Sequence, residues 1–107
     1  QGFIGRSTEN ATTTLGREGS DYSAAIFCFG LDAESVTIWK DVAGVMNADP
    51  KRVPDAKKID RSTYNEAIEL AYYGATVIHP KTIQPLKSKN IPLYVKSFLN
   101  PEAEGTV

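Results

Sequence analysis

Cysteine is nearly missing from this sequence: Cys28 is the only one in 107 residues. A single thiol cannot close an internal disulfide, so the fold must rest on its core and hydrogen bonds, as in a reducing compartment. Cys28 lies in an apolar helical stretch and reads as a packing residue. No apolar run approaches the roughly 20 residues of a membrane-spanning helix. No basic segment leads into an apolar core, the pattern of a secretory leader. Neither charge sign is in excess: 12 Lys and Arg stand against 13 Asp and Glu. That balance excludes a general pull toward nucleic acid or anionic membrane. Histidine is also single. His79 has no Cys or His cluster around it in sequence, so no metal-ligand spacing is visible. It precedes Pro80 and reads as a capping or packing residue at a helix start. Heptads, internal repeats and low-complexity tracts are absent.

What is present fits one small globular domain: 41% of residues are hydrophobic and 23% charged, both ordinary values. The chain opens at Gln1, without a methionine, straight into an extended segment. It stops at Val107 just after another. The expectation is a piece of a longer protein.

Strand and helix signals alternate along the chain. Phe3-Ile4 is a short apolar strand candidate, and residues 6–12 are polar and read as a loop or hairpin tip. Residues 20–31 read as a helix with Ser20 as its N-cap. Its apolar residues Tyr22, Ala24, Ala25, Ile26, Phe27 and Phe29 surround the axis, which predicts burial on all sides. Residues 36–42 are rich in β-branched side chains and read as a strand. Residues 47–61 carry two prolines and many charges and read as an irregular crossing segment. Thr63-Tyr64-Asn65-Glu66 fits a capping box. Behind it Tyr64, Ala67, Ile68, Ala71, Tyr72 and Ala75 form one apolar stripe at helical spacing, closed by Gly74. Val77-Ile78 is a short buried stretch. Pro80 suits the first turn of a helix reaching about Lys89. Residues 93–97 read as a strand entered through Pro92. This alternation predicts an α/β fold with a parallel or mixed sheet.

One stretch stands out chemically: Thr12-Thr13-Thr14-Leu15-Gly16-Arg17-Glu18-Gly19-Ser20-Asp21. A β-prone lead runs into a glycine-bracketed turn that holds an arginine, and Ser-Asp then opens the helix. Glycines let the backbone approach a ligand closely. The free N–H groups of a helix N-terminus favour negative charge. Arg17 adds a planar fork matched to carboxylate or phosphate. The stretch alone is equally compatible with a plain structural turn.

Three further stretches follow in order: Val36-Thr37-Ile38-Trp39-Lys40-Asp41-Val42-Ala43-Gly44-Val45-Met46-Asn47-Ala48-Asp49-Pro50, then Glu66-Ala67-Ile68-Glu69-Leu70-Ala71-Tyr72-Tyr73-Gly74-Ala75-Thr76-Val77-Ile78-His79-Pro80, then Ile91-Pro92-Leu93-Tyr94-Val95-Lys96-Ser97 with Asn100-Pro101 and Gly105-Thr106. In this order and spacing the four resemble the C-terminal part of the catalytic domain of the aspartate kinases, within the amino acid kinase family. The resemblance runs over about residues 2–106. It implies a three-layer α/β/α sandwich with a mainly parallel sheet, of which this chain would supply only the nucleotide-side half. Residues 1–107 would then be the C-terminal, ATP-binding part of a catalytic domain. The implied reaction transfers the γ-phosphoryl group of ATP to the side-chain carboxylate of L-aspartate, with Mg²⁺.

The resemblance also implies roles. Arg17 would bind the α-carboxylate of aspartate and Ser20 would help hold the same substrate. Asp21 would be the active-site aspartate, orienting a catalytic lysine or a metal-bound water. Without the resemblance, Arg17 reads as a surface arginine and Asp21 as a first-turn acid favoured by the helix dipole. Lys40 and Asp41, where a strand meets a loop, would bind ATP, with Gly44, Met46 and Lys51 running past the nucleotide. Thr76 and Val77 would complete that side. No metal ligand set is expected from the protein alone.

Several positions depart from the family pattern. Lys51 stands where an arginine is frequent, Met46 where an aromatic residue is, and Thr76 where a lysine is. Glu18 stands where glycine is commoner, and no role follows for it. The Lys-Phe-Gly-Gly-Thr-Ser type motif that carries the catalytic lysine does not occur here, nor do the regulatory ACT domains. The isolated chain is therefore expected to be inactive, and its parent to be a cytoplasmic homo-oligomer. Two other readings stand beside this one. The first is another amino acid kinase, such as glutamate 5-kinase, acetylglutamate kinase or uridylate kinase. The second is a non-catalytic ligand-binding or association module.

Overall fold

The computed structural model of the chain describes residues 2–74 and 77–107. Its first element is an antiparallel hairpin. β1 (Ile4–Arg6) pairs with β2 (Thr12–Thr14), with Ile4 opposite Thr14 and Arg6 opposite Thr12. The tip closes where Ser7 N–H donates to the Ala11 carbonyl at 2.9 Å, with Asn10 at φ 71°. The polar tip expected at residues 6–12 is thus a hairpin whose ends already belong to strands.

Helix α1 spans Gly19–Gly30. Its cap differs from the expectation: Glu18, in the left-handed conformation, holds the N-cap position without a side-chain capping bond, and Ser20 lies inside the first turn. The cause is packing at Gly19. A Cβ there would lie 2.8 Å from Leu15 Cβ and 3.1 Å from Phe3 Cβ. Glycine lets the chain turn tightly against the hairpin, and the helix begins one residue early. The burial of α1 is also one-sided. Gly19, Asp21 and Ala25 are buried, while Ile26, Phe27, Phe29 and Leu31 are exposed, Phe27 by 68%. α1 packs on β3 and α3, and its first turn lies against Phe3 and Leu15 of the hairpin. Toward its C-terminal end Phe27 and Leu31 are the most exposed apolar side chains.

The sheet at the centre pairs β3 (Val36–Lys40) with β4 (Leu93–Ser97) in parallel, Val36 beside Leu93 and Lys40 beside Ser97. β3 stops at Lys40, two residues short of the expected strand. Phe98 N–H donates to the Lys40 carbonyl at 2.9 Å, and that is the last rung. Val36 and Ile38 are buried while Thr37 and Trp39 are exposed. Parallel sheets normally have both faces covered, so this sheet shows one finished face and one open one. On its other side β4 meets the end of the chain: Val95 and Thr106 exchange both backbone hydrogen bonds at 2.9 Å.

Residues 47–61 form an excursion closed at its base. Met46 bridges Lys58, and Ile59 N–H donates to the Val45 carbonyl at 2.9 Å. Helix α2 (Tyr64–Tyr72) starts with the expected capping box. It ends at Tyr73, with Gly74 at φ 98° just beyond. The expected stripe needs one correction: Tyr72 is 76% exposed, and Leu70 packs toward the core instead. Ala75 lies outside the described residues. Helix α3 (Pro80–Ser88) is capped by His79, whose Nδ1 accepts from Lys81 N–H at 3.1 Å. Ala25, Val36, Ile38, Val45, Ile78, Ile83, Leu86, Ile91 and Val95 make the core. Lys89 ties α3 to α1: its Nζ donates to the Phe29 carbonyl at 2.7 Å, pairs with Asp32, and sits over the Phe29 ring.

The capping box carries a pH dependence. Glu66 is held below the ordinary carboxylate range, chiefly because it accepts the Thr63 backbone N–H at 2.7 Å. A carboxyl whose folded pKa is depressed stabilises the fold above its unfolded pKa, and this is lost as pH falls through the folded value. Glu66→Gln should therefore flatten the acid limb of a plot of urea midpoint against pH. Thr63→Ala should cost about 1 kcal/mol at neutral pH, measured by the same denaturation. An unchanged acid limb in the Glu66→Gln protein would remove Glu66 from this account.

Candidate functional site

α1 leads into β3 through a short turn, so the helix runs back along the strand. Its first turn therefore lies beside the C-terminal end of β3, the edge where α/β sheets place their ligands. Two residues that the sequence puts in separate motifs meet there. Lys40 Nζ donates to Asp21 Oδ2 at 2.5 Å. The side chains are 22% and 11% exposed respectively. Breaking such a pair by removing one partner leaves a charge in a poorly solvated place.

Around this pair the remaining candidates are distributed unevenly. Ser20 is exposed on the first turn of α1 and Asp41 is exposed just after β3. Gly44 is buried, with φ 151°, and a Cβ there would lie 2.5 Å from Thr106 Oγ1. Met46 is half-buried at the base of the excursion. Lys51 is exposed at its turn, where its N–H donates to Asp49 Oδ1 at 2.9 Å. Val77 is half-buried, and Thr76 lies outside the described residues. Among the described residues, no ion pair or hydrogen bond joins Arg17, Ser20 or Lys51 to the Asp21–Lys40 pair.

Arg17 opens onto a recess of about 330 Å³ between the glycine turn and α3, lined also by Glu18, Tyr22, His79, Lys81 and Thr82. Glu18 Oε2 and Thr82 Oγ1 are buried without a hydrogen-bond partner. Neither was singled out by spacing. The signal for Thr82 was present, a hydroxyl set beside Ile83 on the apolar face of α3. A second cavity, of about 390 Å³, is walled by core carbons such as Val45, Ile83, Leu93 and Val95. It contains neither Asp21 nor Lys40 and has no cation to hold a phosphate, so the chemistry does not belong there.

The donor set suits a metal that arrives with its ligand. Among the described residues, no three His, Cys, Asp or Glu side chains come close enough to hold an ion. Mg²⁺ is commonly bound by one or two carboxylates plus substrate phosphates. Asp21, with one oxygen on Lys40 and the other without a hydrogen bond among the described residues, fits that pattern. Among the described residues, no helix is long and apolar enough to cross a membrane.

Helices packed on a parallel strand pair, with a charged pair and a glycine turn at its C-terminal edge, define an α/β domain. Residues 1–97 match the model of the amino acid kinase family, and the chain belongs to that family. It is 48% identical over 107 residues to lysine-sensitive aspartokinase 3 of Escherichia coli, spanning all of this chain and 24% of that protein. It is 47% identical over 106 residues to the chloroplastic bifunctional aspartokinase/homoserine dehydrogenase 1 of Zea mays, covering 99% of this chain and 12% of that protein. The crystal structure of E. coli aspartokinase III in complex with aspartate and ADP superimposes with a TM-score of 0.93 at 48% identity, over 99% of this chain and 24% of that one. The fold is therefore the amino acid kinase fold, as the resemblance implied, and only a part of it is in the chain. The chain spans between about an eighth and a quarter of the length of these relatives.

Proposed function

We propose that residues 1–107 are the C-terminal, ATP-binding part of an aspartokinase catalytic domain. The parent would transfer the γ-phosphoryl group of ATP to the side-chain carboxylate of L-aspartate, giving 4-phospho-L-aspartate. The observation that carries this reading is the whole-chain likeness to an aspartokinase solved with aspartate and ADP. The geometry supports it through the charged pair at the sheet edge and the arginine in the glycine turn.

The chemistry asks little of the protein beyond alignment and charge. The attacking carboxylate is already ionised at neutral pH. No base is required; two anions must be held in line and the spreading negative charge compensated. Arg17, in the turn before α1, offers a fork for the α-carboxylate, and Ser20, on the first turn of α1, offers a hydroxyl. By the resemblance, Asp41, Gly44, Met46 and Lys51, on the stretch after β3, would contact the nucleotide, and Thr76 and Val77 would do so as well. Mg²⁺ would reach the site with the ATP phosphates and lower the charge of the transferring group.

The test is aspartyl phosphate formation by the parent, trapped as the hydroxamate, with UMP, glutamate and acetylglutamate as competing acceptors. Aspartate-dependent hydroxamate supports the reading. Transfer to UMP instead would sink it in favour of a nucleotide kinase. The isolated chain should give no signal above background, because it lacks the lysine motif that phosphoryl transfer in this family needs. Turnover by the isolated chain would overturn that part.

A further inference from the structure

We propose that Glu18 docks the glycine turn onto the first turn of α3, through Thr82, and thereby positions Arg17. The role of Arg17 rests on the proposed aspartokinase reading; the docking contact does not. Glu18 is the residue for which the family resemblance offers no role, since glycine is commoner there.

The backbone supplies the first observation. Glu18 has φ 57° and ψ 22°, the left-handed conformation. Glycine adopts it freely, whereas a residue with a Cβ must be held there by its surroundings. Glu18 is pinned as the N-cap of α1: its carbonyl accepts from Tyr22 N–H at 3.2 Å. Strain of this kind persists where neighbouring structure over-determines it, and it collects at functional turns.

The side chain supplies the second. Glu18 is half-buried although Arg17 and Ser20 are exposed. Its Oε2 is buried with no hydrogen-bond partner among the described residues. Thr82 is 0% exposed, and its Oγ1 is likewise buried and without a partner. Groups left in that condition are costly. One is an acceptor and the other a hydroxyl that can donate. Both residues line the same recess of about 330 Å³. This chain's own residues close both atoms off from solvent, so further segments of the parent can only deepen their burial. Each supplies what the other lacks.

The surroundings favour a carboxylate at this place. His79 caps α3, and the recess also holds Lys81 and Arg17. Two cations and the positive end of a helix therefore face Glu18. Thr82 is fixed: its N–H donates to the His79 carbonyl at 2.9 Å, and Ile83 beside it belongs to the core. On the other side of Arg17 the chain is loose, since a Cβ on Gly16 would meet nothing within 4 Å. Arg17 is thus anchored from the Glu18 side. Fixing the residue after the arginine narrows what the guanidinium can sample and lowers the ordering cost of carboxylate binding. Glu18 is a positioning residue, and the contact with substrate is made by Arg17.

A double-mutant cycle in the parent tests both parts, with wild type, Thr82→Val, Glu18→Gly, the double variant, and Thr82→Ser as a rescue. Urea denaturation reads the docking. Thr82→Val should lower the midpoint when Glu18 is present, because the carboxylate loses its donor. In the Glu18→Gly background it should leave the midpoint unchanged or raise it, because the hydroxyl then meets nothing. Relief of left-handed strain at residue 18 is common to both Glu18→Gly proteins and cancels in the cycle. Aspartate saturation at saturating ATP reads the positioning. Glu18→Gly and Thr82→Val should each raise the aspartate KM about 10-fold, the double variant no more than Glu18→Gly, with kcat and the ATP KM moving less than about 3-fold. Thr82→Ser should restore the aspartate KM. Should Glu18→Gly not fold, Glu18→Asn takes its place, because asparagine tolerates left-handed angles and carries no charge. A Thr82→Val midpoint at or above wild type in both backgrounds would overturn the docking. Coupled midpoints with an unchanged aspartate KM would reduce the contact to a structural tie and overturn the positioning. A lowered aspartate KM in Glu18→Gly would make Glu18 a repulsive neighbour of the substrate carboxylate and overturn it equally. A wild-type parent that phosphorylates no aspartate would refute the proposed function, while the urea cycle would still decide the docking.

Discussion

Replacing Gly105 by alanine is expected to unfold the chain. Gly105 sits at φ 76°, a region L side chains rarely adopt. A Cβ there would run into the carbonyl of Val95, with the carbonyl carbon at 3.1 Å and Lys96 Cγ at 3.0 Å. That neighbour is backbone, fixed in β4 by pairing with β3, and it cannot step aside. The Val95–Thr106 exchange of hydrogen bonds would have to open. Its loss would spread. Thr106 Oγ1 accepts from Val45 N–H at 2.9 Å and donates to the Ile59 carbonyl at 2.5 Å. Lys58 Nζ donates to the Gly105 carbonyl at 2.7 Å. Gly105 and Thr106 thus hold the end of the chain, the loop after β3 and the base of the excursion together. Strain at a special backbone angle combined with lost buried hydrogen bonds belongs to the roughly 4 kcal/mol or larger class of substitutions. Domains of this size have about 5–15 kcal/mol in total. Circular dichroism and urea denaturation of Gly105→Ala would show it, and a midpoint within experimental error of wild type would refute the clash. Glu104→Ala, one residue earlier and exposed, is the control and should leave the midpoint nearly unchanged.

The same region shows what could and could not be read from residue order. Strand β4 and its entry after Pro92 are local: Leu93, Tyr94 and Val95 favour extended backbone, and Pro92 precedes them. The capping box at Thr63 and the Pro80 start of α3 are local too, because their bonding partners lie within four residues. Motif order identified the family for a similar reason, since each motif is contiguous. Partnerships across long separations were not legible. Asp21 and Lys40 meet only because α1 folds back along β3, and no spacing rule links residues 19 apart. Thr106 and Val45 are 61 apart. The cap of α1 was misplaced because Ser20 is a good N-cap by chemistry, and contact between Gly19, Leu15 and Phe3 overrode that preference. All-round apolar patterning predicted a buried α1, but only the side facing β3 and α3 is covered among the described residues. The second face of the sheet is open for the same reason: Thr37 and Trp39 meet no helix among them.

Arg17→Ala in the parent enzyme should raise the aspartate KM far more than the ATP KM. Arg17 lies in the turn between Gly16 and Glu18, beside the first turn of α1. It is exposed, and among the described residues it makes no ion pair, so its guanidinium is open to a ligand. A carboxylate docked there would accept two parallel N–H bonds from the fork. Once substrate and closing segments exclude water, losing one partner of such a pair costs about 2–5 kcal/mol. That corresponds to roughly a 30- to 4,000-fold loss in affinity. The lower end applies if the site stays wet, because exposed charges are screened. Arg17→Lys should restore little, since an ammonium keeps the charge and loses the fork. The measurement is a pair of saturation curves, aspartate at saturating ATP and ATP at saturating aspartate, for wild type and both variants. kcat should change less than the aspartate KM, because the α-carboxylate is bound alike in ground and transition states. A raised ATP KM with an unchanged aspartate KM would move Arg17 to the phosphates. Equal loss in kcat with both KM values unchanged would instead put Arg17 among the groups that contact the reacting atoms.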